Sequence, residues 1–322
     1  MAPSAITETV PSTLVVKGGK ESVATHGAEA VKEEKEPTPL EAISHGIVMP
    51  GIPTFPSYTS HRRHTLVHMA ATFRFFARSG FTEGQSGHIS VRDPEHPGLM
   101  WMNPLGRHFG MLRAGDMICL DIATGRVAGG NTSRPANAAG YLIHSAVHRR
   151  RGGDVHAVCH AHTQAGRAWS VFARPLDMLS QDVCSFHGQA QAVYAQYGGI
   201  VFGAEEGERI ADALGPRGKG VILMNHGLLT VGATVDEAGF MFGLLDRSCD
   251  VQLRVEAAVA ASGGALRKNI ISDEEAAYNF RMASEANVLY REAQPDIEYE
   301  LEAAGGEEAL ARGFESLQPL VL

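Results

Sequence analysis

The chain has 322 residues, 44% of them hydrophobic, and carries a formal net charge of -8. This length and composition are ordinary for a globular protein with a substantial core. The acidic balance and the lack of an extended basic patch exclude nucleic acid as a predicted partner. Four cysteines lie far apart without a C-x-x-C pair, and no apolar run reaches the ~18 residues of a membrane span. We therefore predict a cytoplasmic protein with no membrane partner.

Residues 1–45 form a polar N-terminal segment that contains the charge run Lys32-Glu33-Glu34-Lys35-Glu36-Pro37. A segment of this composition cannot bury enough apolar surface to offset the entropy lost on ordering. We predict a disordered or loosely draped tail over residues 1–45 and a folded domain over residues 46–270. A C-terminal helical extension over residues 271–322 is expected to pack on that domain or on a neighbouring chain.

The folded part begins with apolar residues at helical spacing from His61 to Ser79, followed by Gly80, a common residue after a helix end. Short runs bounded by turn residues then predict strands at His88–Arg92, Leu99–Met102, Met117–Leu120, Val155–Cys159, Gly199–Phe202, Gly220–Met224 and Leu228–Val231. We predict extended chain over Leu176–His187. Further helices are predicted at Ala138–Arg150, Gln164–Phe172, Glu205–Leu214, Thr234–Ala261 and Ser272–Arg291. This pattern alone indicates a mixed α/β fold.

The run Val155–Cys159 ends in His160-Ala161-His162. Residues two apart in a strand point to the same face, so His160 and His162 project together. Neutral imidazoles are common ligands of divalent transition metals. The second run, Gly220–Met224, ends in Asn225-His226-Gly227, where the glycine would let the backbone turn away. Spacing alone leaves open the alternative that each histidine is a hydrogen-bonded core residue, and it does not identify a third ligand.

Three segments together resemble the signature blocks of the class II aldolase/adducin family, namely residues 86–92 (SGHISVR), 158–163 (VCHAHT) and 225–232 (NHGLLTVG). The resemblance extends from about Thr65 to Ala258. It implies that His160, His162 and His226 hold a catalytic zinc. It also implies a three-layer α-β-α fold with a mostly antiparallel central sheet, in a homotetramer with each active site at a subunit boundary. The adducin branch lacks the metal histidines, so their presence favours an enzyme.

Several positions depart from the sugar-phosphate aldolases of that family. The metal-binding and proton-transferring glutamate is replaced by Gly140, and two phosphate-binding serines by Ala138 and Ala139. Leu105 stands at a phosphate-loop threonine, and Gln181 aligns approximately with a catalytic tyrosine of a neighbouring subunit. Because a phosphate needs several donors or cations, we predict a substrate without phosphate.

The missing glutamate leaves the proton-transferring residue open. Our candidates are His187, Asp182 and His88, each of which could equally be structural. Asn225, which precedes the third metal histidine, is a predicted substrate-binding residue, as are the replaced positions Gln181 and Gly140. His144 and His148 lie one helical turn apart, but no glutamate follows the first as in H-E-x-x-H, so no second metal site is predicted there.

A metal held by three histidines retains open positions and can stabilise the enolate formed when a carbon-carbon bond breaks. We therefore predict a metal-dependent carbon-carbon lyase, of aldolase or decarboxylase type, for a small carbonyl or carboxylate compound. Zinc is the expected metal, with iron and manganese as alternatives. Two other functions stay open: an Fe(II) oxygenase on the same three histidines, and an adducin-like scaffold with a vestigial site.

Overall fold

The computed structural model of the chain describes Thr38, Glu41, residues 49–199 and residues 203–322. Most of the predicted tail, and the strand expected at Gly199–Phe202 apart from its first residue, lie outside the described residues. The described helices are α1 (Tyr58–Arg78), α2 (Ala138–Arg150), α3 (Gln164–Ser170), α4 (Ala204–Leu214), α5 (Val235–Ala261), α6 (Asp273–Ala283), α7 (Ala286–Ala303) and α8 (Glu307–Ala311).

Within the described residues, eight strands form one sheet: β1 (His88–Arg92), β2 (Leu99–Met102), β3 (Ile118–Asp121), β4 (Val127–Gly130), β5 (Ala157–Ala161), β6 (Gln191–Tyr194), β7 (Gly220–Leu223) and β8 (Gly227–Gly232). Their spatial order is β4-β3-β2-β1-β5-β8-β7-β6. Every adjacent pair is antiparallel except β6 with β7. The predicted mixed α/β fold with a mostly antiparallel sheet is confirmed.

Helices cover both faces of this sheet because successive strand residues alternate between two apolar layers. On one face, Cys159 of β5 belongs to a core formed with the buried sides of α1, α5 and α7. On the other face, its neighbour Val158 packs with α2 and α4. His160 has the parity of Val158 and therefore lies on the α2 side. The buried Cys159 lies on the opposite face, as expected for a core residue.

The C-terminal extension packs against this same core. Leu289, Ala293 and Ile297 of α7 are buried in the layer that contains α1 and α5. Polar contacts join the three helices as well: His68 Nδ1 and Gln294 Nε2 lie 2.6 Å and 3.1 Å from Asp236 Oδ1. Among the described residues, no helix combines the length and apolarity needed to cross a bilayer.

Two predicted elements differ from the structure. Instead of running extended over Leu176–His187, the chain forms a 3-10 helix at Asp182–Phe186, in which Val183 and Phe186 are buried. The helix predicted over Ser272–Arg291 ends at Ala283, and α7 begins at Ala286. The capping box of Ser272 and Glu275 is present at the start of α6. Periodicity did not identify the break after Ala283, because a separate helix follows within two residues.

Candidate metal centre

The first two histidines of the candidate centre come from the end of β5. His160 is 1% exposed, whereas His162 follows the strand and is half-buried. The Nδ1 atom of His160 lies 2.8 Å from the carbonyl oxygen of Leu228 on the adjacent strand β8. A carbonyl can only accept a hydrogen bond, so Nδ1 carries the proton and Nε2 has a free lone pair. This contact orients the ring as in a metal-binding histidine.

The third histidine lies in the hairpin between β7 and β8. Leu223 pairs with Gly227, and the His226 N–H donates to the carbonyl of Leu223 at 3.0 Å. Asn225 takes the left-handed conformation with φ 56°, which asparagine tolerates better than most residues. The turn residue is therefore Asn225 and not the glycine we predicted. Gly227 instead allows close strand approach, because a Cβ there would lie 3.0 Å from the Ala161 carbonyl oxygen.

These two segments bring the three predicted ligands together. One nitrogen of each of His160, His162 and His226 can be chosen so that all three lie within 4.8 Å of one another. Their ring centroids are 5.1, 4.8 and 4.9 Å apart, and the rings are steeply inclined to one another. Three imidazoles converging in this way fit the donor set of a divalent transition metal with open coordination positions.

The three imidazoles are also held in the neutral form that a metal requires. Burial lowers the pKa of each ring, most strongly at His160. The pKa of His226 is lowered to about 4 by burial and by the neighbouring His162. At His162, burial is reinforced by the charge of Arg167, which also lowers the pKa. These shifts favour the neutral rings, each of which has one nitrogen lone pair available for a metal.

A cavity of about 420 Å³ opens beside the three histidines. Its size suits a small organic ligand. Asn225, a predicted substrate-binding residue, lines it, and so do Arg167 and the exposed Tyr197. Our sequence analysis missed both. The position of Arg167, five residues after His162 on the helix that follows, was the signal that could have identified it.

Among the described residues that line this cavity, Arg167 is the one with a permanently charged cationic side chain. Its Nη2 donates to Glu83 Oε2 at 3.0 Å, and its Nε donates to the carbonyl oxygen of Thr163 at 3.2 Å. The hydroxyl of Thr163 accepts from the Gly166 N–H and caps α3. The capped helix α3 therefore positions the backbone of Arg167 close to His162. The guanidinium of Arg167 has further N–H groups that can donate to an anionic ligand.

His88, one of the predicted proton-transferring residues, also lines the cavity. It pairs directly with His160 across β1 and β5, and the two rings stack with centroids 4.9 Å apart. Gly140 lies directly against this ring: a Cβ at position 140 would be 2.5 Å from His88 Cδ2. The imidazole thus occupies space that any side chain at position 140 would need. Gly140 is therefore needed because it leaves space for the His88 ring. It is not among the residues that line the cavity, where we had predicted that it binds substrate.

Three other predicted site residues lie elsewhere in the chain. Gln181 lines a separate cavity of about 690 Å³ beside α6. Asp182 is exposed, and His187 Nε2 lies 2.8 Å from Asp273 Oδ1 at the start of α6. None of the three lines the cavity at the histidines of its own chain. These residues could reach an active site only in a neighbouring subunit, so their predicted roles remain untested predictions.

Comparison with known proteins identifies the family. The model of the Class II Aldolase and Adducin N-terminal domain matches residues 67–253, which include all three histidines. The chain belongs to this family. The predicted resemblance is therefore confirmed.

Curated family members include proteins of quite different names. The meiotically up-regulated gene 14 protein of Schizosaccharomyces pombe is 36% identical, covering 80% of this chain and 96% of that protein. The 4-hydroxy-3-prenylphenylpyruvate oxygenase/4-hydroxy-3-prenylbenzoate synthase of Streptomyces roseochromogenus subsp. oscitans is 43% identical over 65% of this chain and 74% of the relative. Decarboxylase NovR of Streptomyces niveus is 43% identical, over 64% and 75% respectively.

A solved structure of the family has the same fold. The L-fuculose 1-phosphate aldolase from Glaciozyma antarctica PI12 superposes with a TM-score of 0.71 at 34% identity, covering 80% of this chain and 96% of that protein. The family therefore includes one relative named for L-fuculose 1-phosphate and another named for a prenylphenylpyruvate. Only the residues of the site can distinguish these substrates.

Proposed function

We propose that this protein is a metal-dependent carbon-carbon lyase, of aldolase or decarboxylase type, for a small carbonyl or carboxylate compound without phosphate. The observation that carries the proposal is the convergence of His160, His162 and His226 at a cavity that also contains Arg167. A divalent metal held by these histidines would supply Lewis-acid stabilisation of the negative charge that develops on oxygen when a carbon-carbon bond breaks. Zinc is the proposed metal.

Arg167 is the proposed substrate-binding cation. It lines the same cavity as His162 and His226, so a carboxylate bound to its guanidinium would lie next to the three imidazoles. A planar guanidinium matches a carboxylate with two parallel hydrogen bonds. Ala138 and Ala139, in contrast, offer no side-chain donors at the start of α2, and Asn137 uses its Oδ1 to accept from the Gly140 N–H at 3.0 Å. This donor set suits a carboxylate better than a phosphate.

His88 is the proposed proton-transferring residue. It lines the cavity, stacks on His160 and fills the space beside Gly140. A positioned general acid or base of this kind typically contributes ~10²- to 10⁴-fold to rate. Asn225 is the proposed additional hydrogen-bonding partner of the substrate, since it is exposed at the cavity next to His226.

Metal content and bond cleavage test the proposal together. The full-length chain would be purified without chelator, its metal measured by plasma mass spectrometry, and its activity followed with a panel of 2-hydroxy and 2-oxo acids, aliphatic and aromatic. We expect about one metal per chain and cleavage that disappears with the metal and returns with zinc. A metal-loaded chain that binds but never cleaves such acids would contradict lyase chemistry.

An oxygenase is the second candidate, favoured by the 43% identity to a relative named as a prenylphenylpyruvate oxygenase. Three histidines with open positions also suit non-haem iron. The discriminating measurement is oxygen uptake by the chain reconstituted with Fe(II) and separately with zinc. Uptake coupled to substrate loss with iron alone would replace the lyase by the oxygenase. Metal content below about 0.2 per chain that is unchanged in His160→Ala would favour an adducin-like scaffold instead.

We also propose that the protein is a homotetramer and that it is located in the cytoplasm. Val171 and Phe172, at the end of α3 beyond Arg167, are 59% and 55% exposed, and adjacent exposed apolar side chains support a subunit contact near the cavity. Analytical ultracentrifugation of the full chain, compared with a Val171→Glu/Phe172→Glu variant, tests this assembly. A chain that sediments as a monomer at micromolar concentration would contradict it.

A further inference from the structure

A second cavity, of about 400 Å³, lies at the other end of the sheet from the three histidines. Strand β1 begins at His88, which lines the first cavity, and ends at Arg92, which lines the second. Successive strand residues rise about 3.3 Å, so these two positions are roughly 13 Å apart along β1. Among the described residues, the second cavity, which we call the Arg92 cavity, shares no lining residue with the first. It is therefore a separate site.

Arg92 is a buried cation without a carboxylate partner. The residue is 8% exposed. Its Nη2 donates to the carbonyl oxygen of His148 at 2.7 Å and its Nη1 to that of Pro97, while its Nε has no hydrogen-bond partner among the described residues. Burial lowers the pKa of the guanidinium, and no described carboxylate acts in the opposite direction. Because a buried charge is costly unless it is paired, an anion in the adjacent cavity would stabilise this side chain.

The two acidic residues that line the Arg92 cavity are paired with other cationic groups of the protein. The Oδ2 and Oδ1 atoms of Asp93 accept from Arg62 at 2.6 Å and 3.0 Å. The Oδ1 atom of Asp236 lies 2.6 Å from His68 Nδ1. Burial acts to lower the pKa of His68, but the charge of Asp236 and the hydrogen bond to it raise the pKa overall, which favours a pair with little net charge. The unmatched charge at this cavity is therefore that of Arg92.

Ring-bearing residues form much of the remaining wall. Phe55, His61, His64 and Tyr290 line the Arg92 cavity. The ring of Phe55 stacks on that of His61 with centroids 4.5 Å apart, and its centroid lies 4.8 Å from that of His64. Such rings pack well against the flat face of an aromatic ligand, and a neutral imidazole can also donate one N–H to a ligand oxygen. A volume of about 400 Å³ suits a small organic molecule.

We propose that the Arg92 cavity binds a small aromatic carboxylate, with its carboxylate at Arg92 and its ring against Phe55 and Tyr290. A guanidinium has five N–H groups, and two carbonyl oxygens do not use all of them. An inorganic anion such as phosphate would pair with Arg92 but leave the ring-lined walls in contact with water, so an aromatic anion fits the cavity better. This binding site is additional to the candidate metal centre and needs no metal.

Calorimetric titration of the zinc-loaded, full-length chain with benzoate and cinnamate tests the site. All variants carry Arg167→Gln, because Arg167 is the proposed carboxylate-binding residue of the other cavity. We expect both acids to bind this parent chain and to bind about 10-fold or more weakly after Arg92→Gln, the loss of a charged hydrogen bond. Benzamide, a neutral analogue of benzoate, should bind the parent chain at least 10-fold more weakly than benzoate does.

Two further variants separate a binding role of Arg92 from a structural one. Arg74→Gln is the matched control, since Arg74 also has a buried Nε without a hydrogen-bond partner among the described residues but does not line the Arg92 cavity. It should leave the affinity for benzoate unchanged. Ala233→Leu adds volume at a lining residue and keeps Arg92, so it should weaken benzoate binding even if Arg92→Gln fails to fold.

Several outcomes would overturn the proposal. The first is that neither acid binds the parent chain at millimolar concentration. The second is that benzoate binds the parent chain and the Ala233→Leu variant equally well, which would place it elsewhere. Equal affinities for benzamide and benzoate would exclude an anion site, and phosphate that binds as tightly as benzoate would exclude an aromatic ligand. None of these measurements depends on bond cleavage, so the proposed lyase function stands or fails separately.

Discussion

The imidazole of His88 lies in the space that a side chain at Gly140 would occupy, with His88 Cδ2 2.5 Å and Nε2 2.9 Å from the position of a Cβ. Gly140 belongs to α2 and His88 to β1, so the contact joins a helix to the sheet beneath it. A glycine in the first turn of a helix costs some helix stability. Here it makes room for a ring at the candidate active site.

Gly140→Ala should therefore displace His88 without disturbing the three histidines. We expect kcat to fall by about 10²-fold or more, as for loss of a general acid or base, while metal content stays at the wild-type level. Gly153→Ala is the matched control, since a Cβ at Gly153 meets nothing within 4 Å. Steady-state kinetics with metal analysis of both variants checks this. Wild-type kcat in Gly140→Ala would contradict the proposed role of His88.

His162→Ala and His226→Ala should each remove metal and activity together, because two imidazoles bind a divalent metal far less tightly than three. We expect metal content to fall below about 0.2 per chain after dialysis against a weak chelator. His187→Ala is the control for metal content alone, because His187 contacts Asp273 outside the cavity at the three histidines. Loss of metal in the control alone would show that the ligand set is misassigned.

Arg167→Gln should weaken substrate binding more than it slows the chemical step. Loss of a charged hydrogen bond to a carboxylate costs about 1.5–3 kcal/mol, which corresponds to a roughly 10- to 150-fold increase in KM. Glu83→Gln is informative as a partner variant, since it removes the carboxylate that Arg167 contacts at 3.0 Å and should lower KM. Equal KM values in wild type and Arg167→Gln would place the substrate carboxylate elsewhere.

Acid sensitivity should follow from the buried, neutral His148. Its pKa in the folded chain is lowered from 6.5 to about 3 by burial and Arg92. Below pH 6.5, His148 therefore binds a proton in the unfolded chain but remains neutral in the folded chain. The free energy of unfolding falls by up to about 1.4 kcal/mol per pH unit from this group until pH approaches the folded value. Urea unfolding between pH 7 and 4 should show a shallower pH dependence in His148→Gln.

The buried contact between His68 and Asp236 should contribute strongly to stability. The two side chains are 9% and 3% exposed and 2.6 Å apart, and Gln294 of α7 contacts the same carboxylate oxygen. We expect Asp236→Ala to lower the free energy of unfolding by about 3–5 kcal/mol, since it leaves a buried partner unpaired. Asp296→Ala removes a more exposed contact with Arg78 and should cost about 1 kcal/mol or less. Urea unfolding of both variants at pH 7 provides the comparison.

The amino-acid sequence determined the local parts of the centre. Strand parity placed His160 and His162 on one face, and the apolar run before Asn225 placed His226 after a second strand. These predictions succeeded because side-chain direction in a strand depends only on the parity of the position. The family resemblance then supplied the third proposed ligand, His226, which spacing had left open.

Tertiary structure alone decided which other side chains reach that centre. The antiparallel pairing of β1 with β5 sets His88 opposite His160, and the packing of α2 on the sheet sets Gly140 against the same ring. Gln181 and His187, equally plausible from the sequence, were directed toward α6 instead. Register between distant strands and the seating of helices depend on burying the whole apolar core at once. A short segment of sequence does not determine strand register or helix packing. The residues that surround the three histidines could therefore be identified only from the tertiary structure.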